Sequence, residues 1–200
     1  MRDQYVPDII ARNQMNVMRY LQETLPQHSH AIEIGVFKGR FSRKLLRRCN
    51  PAKLILIDPW VNVDDHAHRS AWYHSARGND MDSIYNEVQA KMKQEIETGR
   101  VEIHRSTSAE ILPMQPDGAF DFIFVDGDHL YDPVLFDLKM SFQKLKQGGM
   151  LLIDDYKVDA KFWWGDDVVR AVHDFLAEYS SKVLLEKIED GQVIVKKIGG

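Results

Sequence analysis

Phe120-Asp121-Phe122-Ile123-Phe124-Val125-Asp126-Gly127-Asp128-His129 is the stretch on which the reading of this chain turns. An apolar run enters an acid at Asp126, and a histidine follows shortly after it. Gly148-Gly149-Met150-Leu151-Leu152-Ile153 runs in the same way into Asp154-Asp155-Tyr156. Both runs are apolar on two faces and bounded by turn residues, which predicts buried strands of a parallel sheet. Ligands of open parallel sheets sit beyond the carboxyl ends of the strands. The pattern therefore brings Asp126, Asp154, Asp155 and His129 to one ligand-binding edge.

Working outward, strands are predicted at Ala31–Ile34, Lys53–Ile57, Val101–His104, Phe120–Val125 and Met150–Ile153. Helical spacing marks Pro7–Leu25, closed by Pro26, and the segment from the Gly35–Gly39 turn to Arg48. It also marks Asp80–Thr98, stopped by Gly99, then Ala109–Leu112 and Asp166–Tyr179. Pro133–Lys146 reads as a helix with Asp132 as its cap and Pro133 at the first helical position. Lys182–Lys187 and Gln192–Ile198 flank Asp190-Gly191, a hairpin turn signal. The alternation implies an α/β fold: a doubly wound, mostly parallel, seven-stranded Rossmann-like sheet ending in an antiparallel hairpin. No linker or repeat divides the chain, so it reads as one domain, with residues 1–28 a helical extension on a core over 31–198.

With 200 residues, 44% of them hydrophobic, the chain can bury a sizeable core. A net charge of −4 argues against a general nucleic-acid or membrane binder. Arg40, Arg43, Lys44, Arg47 and Arg48 cluster on one helix and read as its solvated face. The single cysteine, Cys49, excludes an internal disulfide framework. Neither a signal-peptide plan nor a bilayer-length apolar run is present, so a soluble cytoplasmic protein is expected.

Glu33-Ile34-Gly35-Val36-Phe37-Lys38-Gly39 joins the first strand to its helix. The dinucleotide fingerprint needs three glycines here so that a pyrophosphate can rest on the helix terminus. Val36 and Phe37 occupy the loop instead, and Glu33 would repel a pyrophosphate while attracting a cationic or amino group. Asp58 ends the second strand, where an acid can bond ribose hydroxyls. A positively charged nucleoside without phosphate fits both acids, which points to S-adenosylmethionine.

On these residues the chain resembles the class I S-adenosylmethionine-dependent methyltransferases, and within them the metal-dependent O-methyltransferases of the catechol and macrocin types. The resemblance spans about Ala31 to Ile198. It implies that Glu33, Gly35, Val36, Phe37, Gly39 and Ser42 hold the methionine end of the cofactor. Asp58 matches the ribose-binding acid, with Pro59 and Trp60 beside it, and Thr107 and Ser108 match the adenine-side turn. That family often has Gly-Asp or Gly-Ala before this serine, and Ser106-Thr107 departs from it. The resemblance also places a divalent cation, usually magnesium, on Asp126, Asp154 and Asp155, with Asp126 touching cofactor as well. Hard oxygen donors suit magnesium. Successive strand residues point to opposite faces, so Asp154 and Asp155 both serve only if the backbone turns there.

His129 stands where the macrocin branch has a histidine and the catechol branch a lysine. Imidazole titrates close to neutrality, as a general base must, so His129 is the candidate base. Two alternatives stay open: Asp155 capping the segment after it, and His129 packing on substrate without moving a proton. Asp128 is expected to be exposed. His66, His68 and His74 show no strong metal spacing, and a lid with Trp60, Trp72 and Tyr73 is the simpler reading. Trp163 and Trp164 either stack on an acceptor ring or pack a lid or a dimer interface. The N-terminal helix either covers the cofactor or pairs two copies into a homodimer.

The reading is an O-methyltransferase for a small hydroxylated acceptor: a sugar, a catechol or a natural-product intermediate. A metal-independent N-methyltransferase and a non-catalytic cofactor-binding scaffold are its rivals.

Overall fold

The structure is a computed structural model and describes residues 17–64, 67, 68, 70, 71, 73–75, 78–157 and 163–199. Residues 17–24 are helical (α1) and are followed by β1 (His30–Ile34), α2 (Arg40–Arg48) and β2 (Lys53–Asp58). Then come α3 (Met81–Lys91), α4 (Lys93–Glu97), β3 (Val101–Arg105) and α5 (Ser108–Ile111), which passes into a short 3₁₀ turn. The second half holds β4 (Phe120–Val125), α6 (Tyr131–Lys144), β5 (Leu145–Ile153), α7 (Asp167–Glu178), β6 (Val183–Glu189) and β7 (Gln192–Lys197).

The strands form one sheet in the order β3-β2-β1-β4-β5-β7-β6. β1 pairs in parallel with both β2 and β4, and β5 in parallel with β4, while β7 runs antiparallel to β5 and β6. The chain winds outward from β1 to β3 and then returns to β4, so the strand order reverses between β1 and β4. Ligands of doubly wound sheets bind at that point.

Alternating side chains bury both faces of the central strands. Ile32, Ile123, Val125 and Leu151 meet Leu138, Val172 and Phe175 of α6 and α7 on one face. Leu54, Leu56, Phe122 and Phe124 meet Leu21, Phe41, Leu45 and Val88 on the other. The Phe41 and Phe124 rings stack with centroids 4.0 Å apart, which ties α2 to β4. The α2 basic cluster lies on the side of the helix away from buried Phe41, Leu45 and Leu46. Among the described residues, no helix is long and apolar enough to cross a membrane.

Several expectations need correction. The predicted Asp80–Thr98 helix breaks at Met92, whose amide is shared between the Val88 and Gln89 carbonyls. Helix α6 starts at Tyr131 rather than Pro133, so Asp132 lies in its first turn and does not cap it. Its entry is held from before, by Asp128 Oδ1 accepting the amides of His129 and Leu130 at 2.6 and 2.9 Å. Asp128 is accordingly half-buried, not exposed. Strand β5 begins at Leu145, directly from α6, because Leu145 already pairs with Phe120 before a register shift brings Met150 opposite Phe122. Residues 7–16 of the predicted first helix lie outside the described residues, as do His66, Trp72, Lys161 and Phe162.

Phe124→Ala should lower unfolding free energy by about 3–5 kcal/mol, since it empties the stack that joins α2 to the sheet. A urea titration checks this, with a shifted midpoint and an unchanged slope as the expected result.

Candidate active site

The site begins where β1 and β4 end side by side. The Asp126 amide donates to the Ile34 carbonyl at 2.8 Å, and the Gly35 amide to the Ile57 carbonyl at 2.9 Å. Gly35 has φ 84°, and a Cβ there would lie 1.7 Å from the Asp126 carbonyl oxygen. Only glycine fits both the conformation and the approach.

The loop that follows is organised by Asp58. Its Oδ2 accepts the amides of Val36 and Phe37 at 2.9 and 2.8 Å, and its Oδ1 accepts that of Trp60 at 2.7 Å. The Trp60 indole donates back to the Phe37 carbonyl at 2.8 Å. Phe37 and Trp60 both sit at positive φ, 47° and 42°, a costly conformation that these crossed bonds maintain. Burial raises the Asp58 carboxyl, against the three amides that favour its charged form.

A cavity of about 720 Å³ opens over this edge, within the usual size range for small-molecule sites. Its lining includes Glu33, Gly35, Val36, Phe37, Asp58 and Pro59. It continues past Thr107 and Ser108 at one end and Asp126, His129, Asp154 and Asp155 at the other. Glu33 is buried and its Oε2 has no hydrogen-bond partner. Burial pushes its carboxyl up to about 8, and neighbouring Ser42 offsets only part of that. A buried carboxyl with one oxygen unpartnered in a cavity wall suits a ligand carrying an ammonium group.

Asp126, His129 and Asp155 place one ligand atom each within 4.8 Å of one another. The backbone does turn after β5: Asp155 has φ 54°, and its amide donates to Asp154 Oδ1 at 2.8 Å. Asp154 belongs to the same acidic crowd but is not part of that three-residue group. Burial, then the charges of Asp154 and Asp155, push the Asp126 carboxyl well above its ordinary value. Burial and Asp155 raise Asp154. Asp155 goes the other way: burial opposes its charge, but the His129 bond and Lys157 hold it below the usual range. His129 Nε2 lies 2.7 Å from Asp155 Oδ2, and Lys157 Nζ lies 3.4 Å from Oδ1. The set is rich in hard oxygen donors and in buried negative charge, and a divalent cation fits it.

Aromatic side chains close the acidic end. His129 stacks on Trp164 with centroids 4.4 Å apart, and Trp163 meets its edge at 5.8 Å. Trp163 also touches His68 and Tyr73, at 5.2 and 6.0 Å. His68 Nε2 lies 3.0 Å from Asp128 Oδ2, so this histidine binds the 61–75 segment to the turn after β4. Val63 and His74 pair through an isolated β-bridge.

Most of the anticipated residues therefore reach the cavity. Gly39, Ser42 and Trp60 do not line it: Gly39 forms the left-handed cap of α2, Ser42 lies buried beside Glu33, and Trp60 is packed on Tyr85. Lys157, Gln192 and Asp137 line the cavity and were not anticipated. Asp137 left a readable signal, because it shares a helical stripe with Val134, Leu138 and Ser141. Burial pushes its carboxyl up to about 7, with Ser108 pulling against that.

Comparison with known proteins agrees with this geometry. A family described as a methyltransferase domain matches residues 32–156. An uncharacterized protein of Acanthamoeba polyphaga mimivirus is 35% identical over 151 residues, or 74% of this chain. The alignment spans 59% of that viral protein's length. A Streptococcus mutans protein provisionally named a methyltransferase, solved in complex with SAH, superposes with TM-score 0.62 at 15% identity. That match covers 92% of this chain and 97% of the other. A Klebsiella pneumoniae protein provisionally named an O-methyltransferase gives TM-score 0.57 at 15% identity, over 100% of this chain and 83% of the other. At such identities the two structures establish the fold.

Gly35→Ala should destabilise the protein by about 2–5 kcal/mol, from left-handed strain plus the clash with Asp126. Gly118→Ala, with φ 62° but no atom within 4 Å of its added Cβ, is the control. It should cost only about 1–2 kcal/mol from strain. Denaturant unfolding of both variants measures the difference.

Proposed function

Because the chain belongs to the methyltransferase-domain family and carries an S-adenosylmethionine-dependent methyltransferase domain, we propose that it methylates a hydroxyl of a small molecule. The observation that carries this reading is the shared cavity. At one place it offers Glu33, whose Oε2 has no partner, and next to it Asp126 and Asp155 converge with His129.

In this reading Glu33 accepts the ammonium group of the cofactor's methionine end, and Gly35 lets the loop after β1 close on the Asp126 backbone beside it. Asp58 keeps acceptor capacity beyond its three amides and takes the ribose hydroxyls. Thr107 and Ser108 border the adenine. Asp126, Asp154 and Asp155 would hold a divalent cation of the magnesium type. When bound, that ion supplies positive charge that lowers the acceptor hydroxyl's pKa.

Asp155 and Trp164 fix the His129 ring, which removes the acceptor proton. The acceptor oxygen then bonds the methyl carbon as the carbon–sulfur bond breaks. The electron pair stays on sulfur, leaving S-adenosylhomocysteine. Because a sulfonium methyl is already activated, alignment and charge placement provide most of the acceleration. Trp163, Trp164 and Tyr73 offer flat apolar contact for a ring-shaped acceptor, and vicinal hydroxyls suit a cation-bearing site.

Release of S-adenosylhomocysteine is the assay, run over a panel of catechols and sugars. Turnover should disappear with excess chelator or in Asp126→Asn, and magnesium should restore it after chelation. Full turnover in chelator would overturn the cation's role.

His129→Ala should lower kcat by about 10²–10⁴-fold, as loss of a general base does. Calorimetry should find its affinity for S-adenosylmethionine and for magnesium little changed. Loss of magnesium binding in that variant would make His129 a ligand and not the base.

A further inference from the structure

We infer that Asp137 recognises the exocyclic amino group of the cofactor's adenine. This rests on the cofactor reading proposed above. Asp137 is 2% exposed, lines the cavity, and leaves Oδ1 without a hydrogen-bond partner. Its carboxyl is held beside Ser108, and Oδ2 lies 3.6 Å from where a Cβ on Gly127 would stand. A buried acceptor without a partner is costly, and one that faces a cavity implies a ligand that supplies the missing donor.

The order of strands says which part of the ligand that is. Along the carboxyl edge β3, β2, β1 and β4 lie side by side. Asp58 ends β2, Glu33 lies in β1, and Asp126 follows β4. A ribose at Asp58 with its methionine end at Glu33 leaves the base at the end of β3, where Thr107 and Ser108 open α5. Asp137 borders that same place through Ser108.

Among the described residues, the acid at that turn is Glu110, which accepts the Thr107 amide at 3.3 Å and the Ser106 hydroxyl and, unlike Asp137, does not line the cavity. The sequence Ser106-Thr107-Ser108 itself brings no carboxylate to the base, so the acceptor comes from α6 instead. An amino group on the purine ring provides the N–H that Oδ1 lacks, and a purine without that group leaves Oδ1 unpaired. Sites built to bond a polar group reject analogues that lack it.

The test is calorimetric binding of S-adenosylhomocysteine against its purine-riboside analogue, which lacks the 6-amino group. The parent protein should prefer the adenine ligand by at least about tenfold. Asp137→Asn keeps an acceptor oxygen and should retain most of the preference. Asp137→Ala should bring the ratio close to unity. If Asp137 only steadies Ser108, the alanine variant weakens both ligands equally and the ratio stays, which would overturn the assignment. Equal affinities in the parent protein would overturn it without any variant, so a variant that does not fold leaves the test intact. If the parent binds neither ligand, the cofactor reading itself fails and the assignment with it.

Discussion

Burial of several acidic side chains at one edge is the constraint on which this structure turns. Glu33, Asp126, Asp154 and Asp155 crowd the carboxyl edge of one sheet, where Lys157 and His129 supply the nearby balancing contacts. The strands that carry them are apolar on both faces, so the acids occupy the strand ends, where the sheet opens. Gly35 lets β1 and β4 close to backbone contact, and that closure brings Glu33 and Asp126 into one cavity. A group of like charges held out of water raises its own pKa values unless a cation or a donor-rich ligand joins it. The site is therefore built to be completed by what it binds.

The division of labour follows from the same edge. Backbone amides gathered by Asp58 shape the loop that a nucleoside would lie against, and the price of that shape is positive φ at Phe37 and Trp60. Strain concentrated at a ligand edge is a common accompaniment of function. The opposite end is polar chemistry under an aromatic cover, with His129 between Asp155 and Trp164. Contacts from Trp163 to His68 and Tyr73, and from His68 to Asp128, join that cover to the turn after β4.

Much of this was readable in the sequence, for physical reasons. Phe120–Val125 is apolar at nearly every position and bounded by Gly118 and Gly127, so its limits coincide with β4. Asp190-Gly191 located the hairpin because a tight turn demands residues that accept positive φ. What failed were features set by tertiary contact. The start of α6 depends on Asp128 accepting two amides, and the early start of β5 depends on Leu145 finding Phe120. Helix periodicity carried the reading through Met92, although its buried side chain packs where a Cβ on Gly39 would stand. For Gly39, Ser42 and Trp60, motif position does not say whether a residue lines the cavity or supports its wall, and these three stand behind the lining. Asp137 lies on the buried stripe of α6, where helical spacing shows that a residue faces inward but not that it meets a cavity.

In the proposed reading, the acidic end would hold a divalent cation beside the methyl-transfer position. Anomalous diffraction from crystals grown with S-adenosylhomocysteine and manganese tests it most directly. One manganese peak per chain is expected, within about 2.5 Å of carboxylate oxygens of Asp126 and Asp155. Well-defined S-adenosylhomocysteine with no peak among those acids would contradict it.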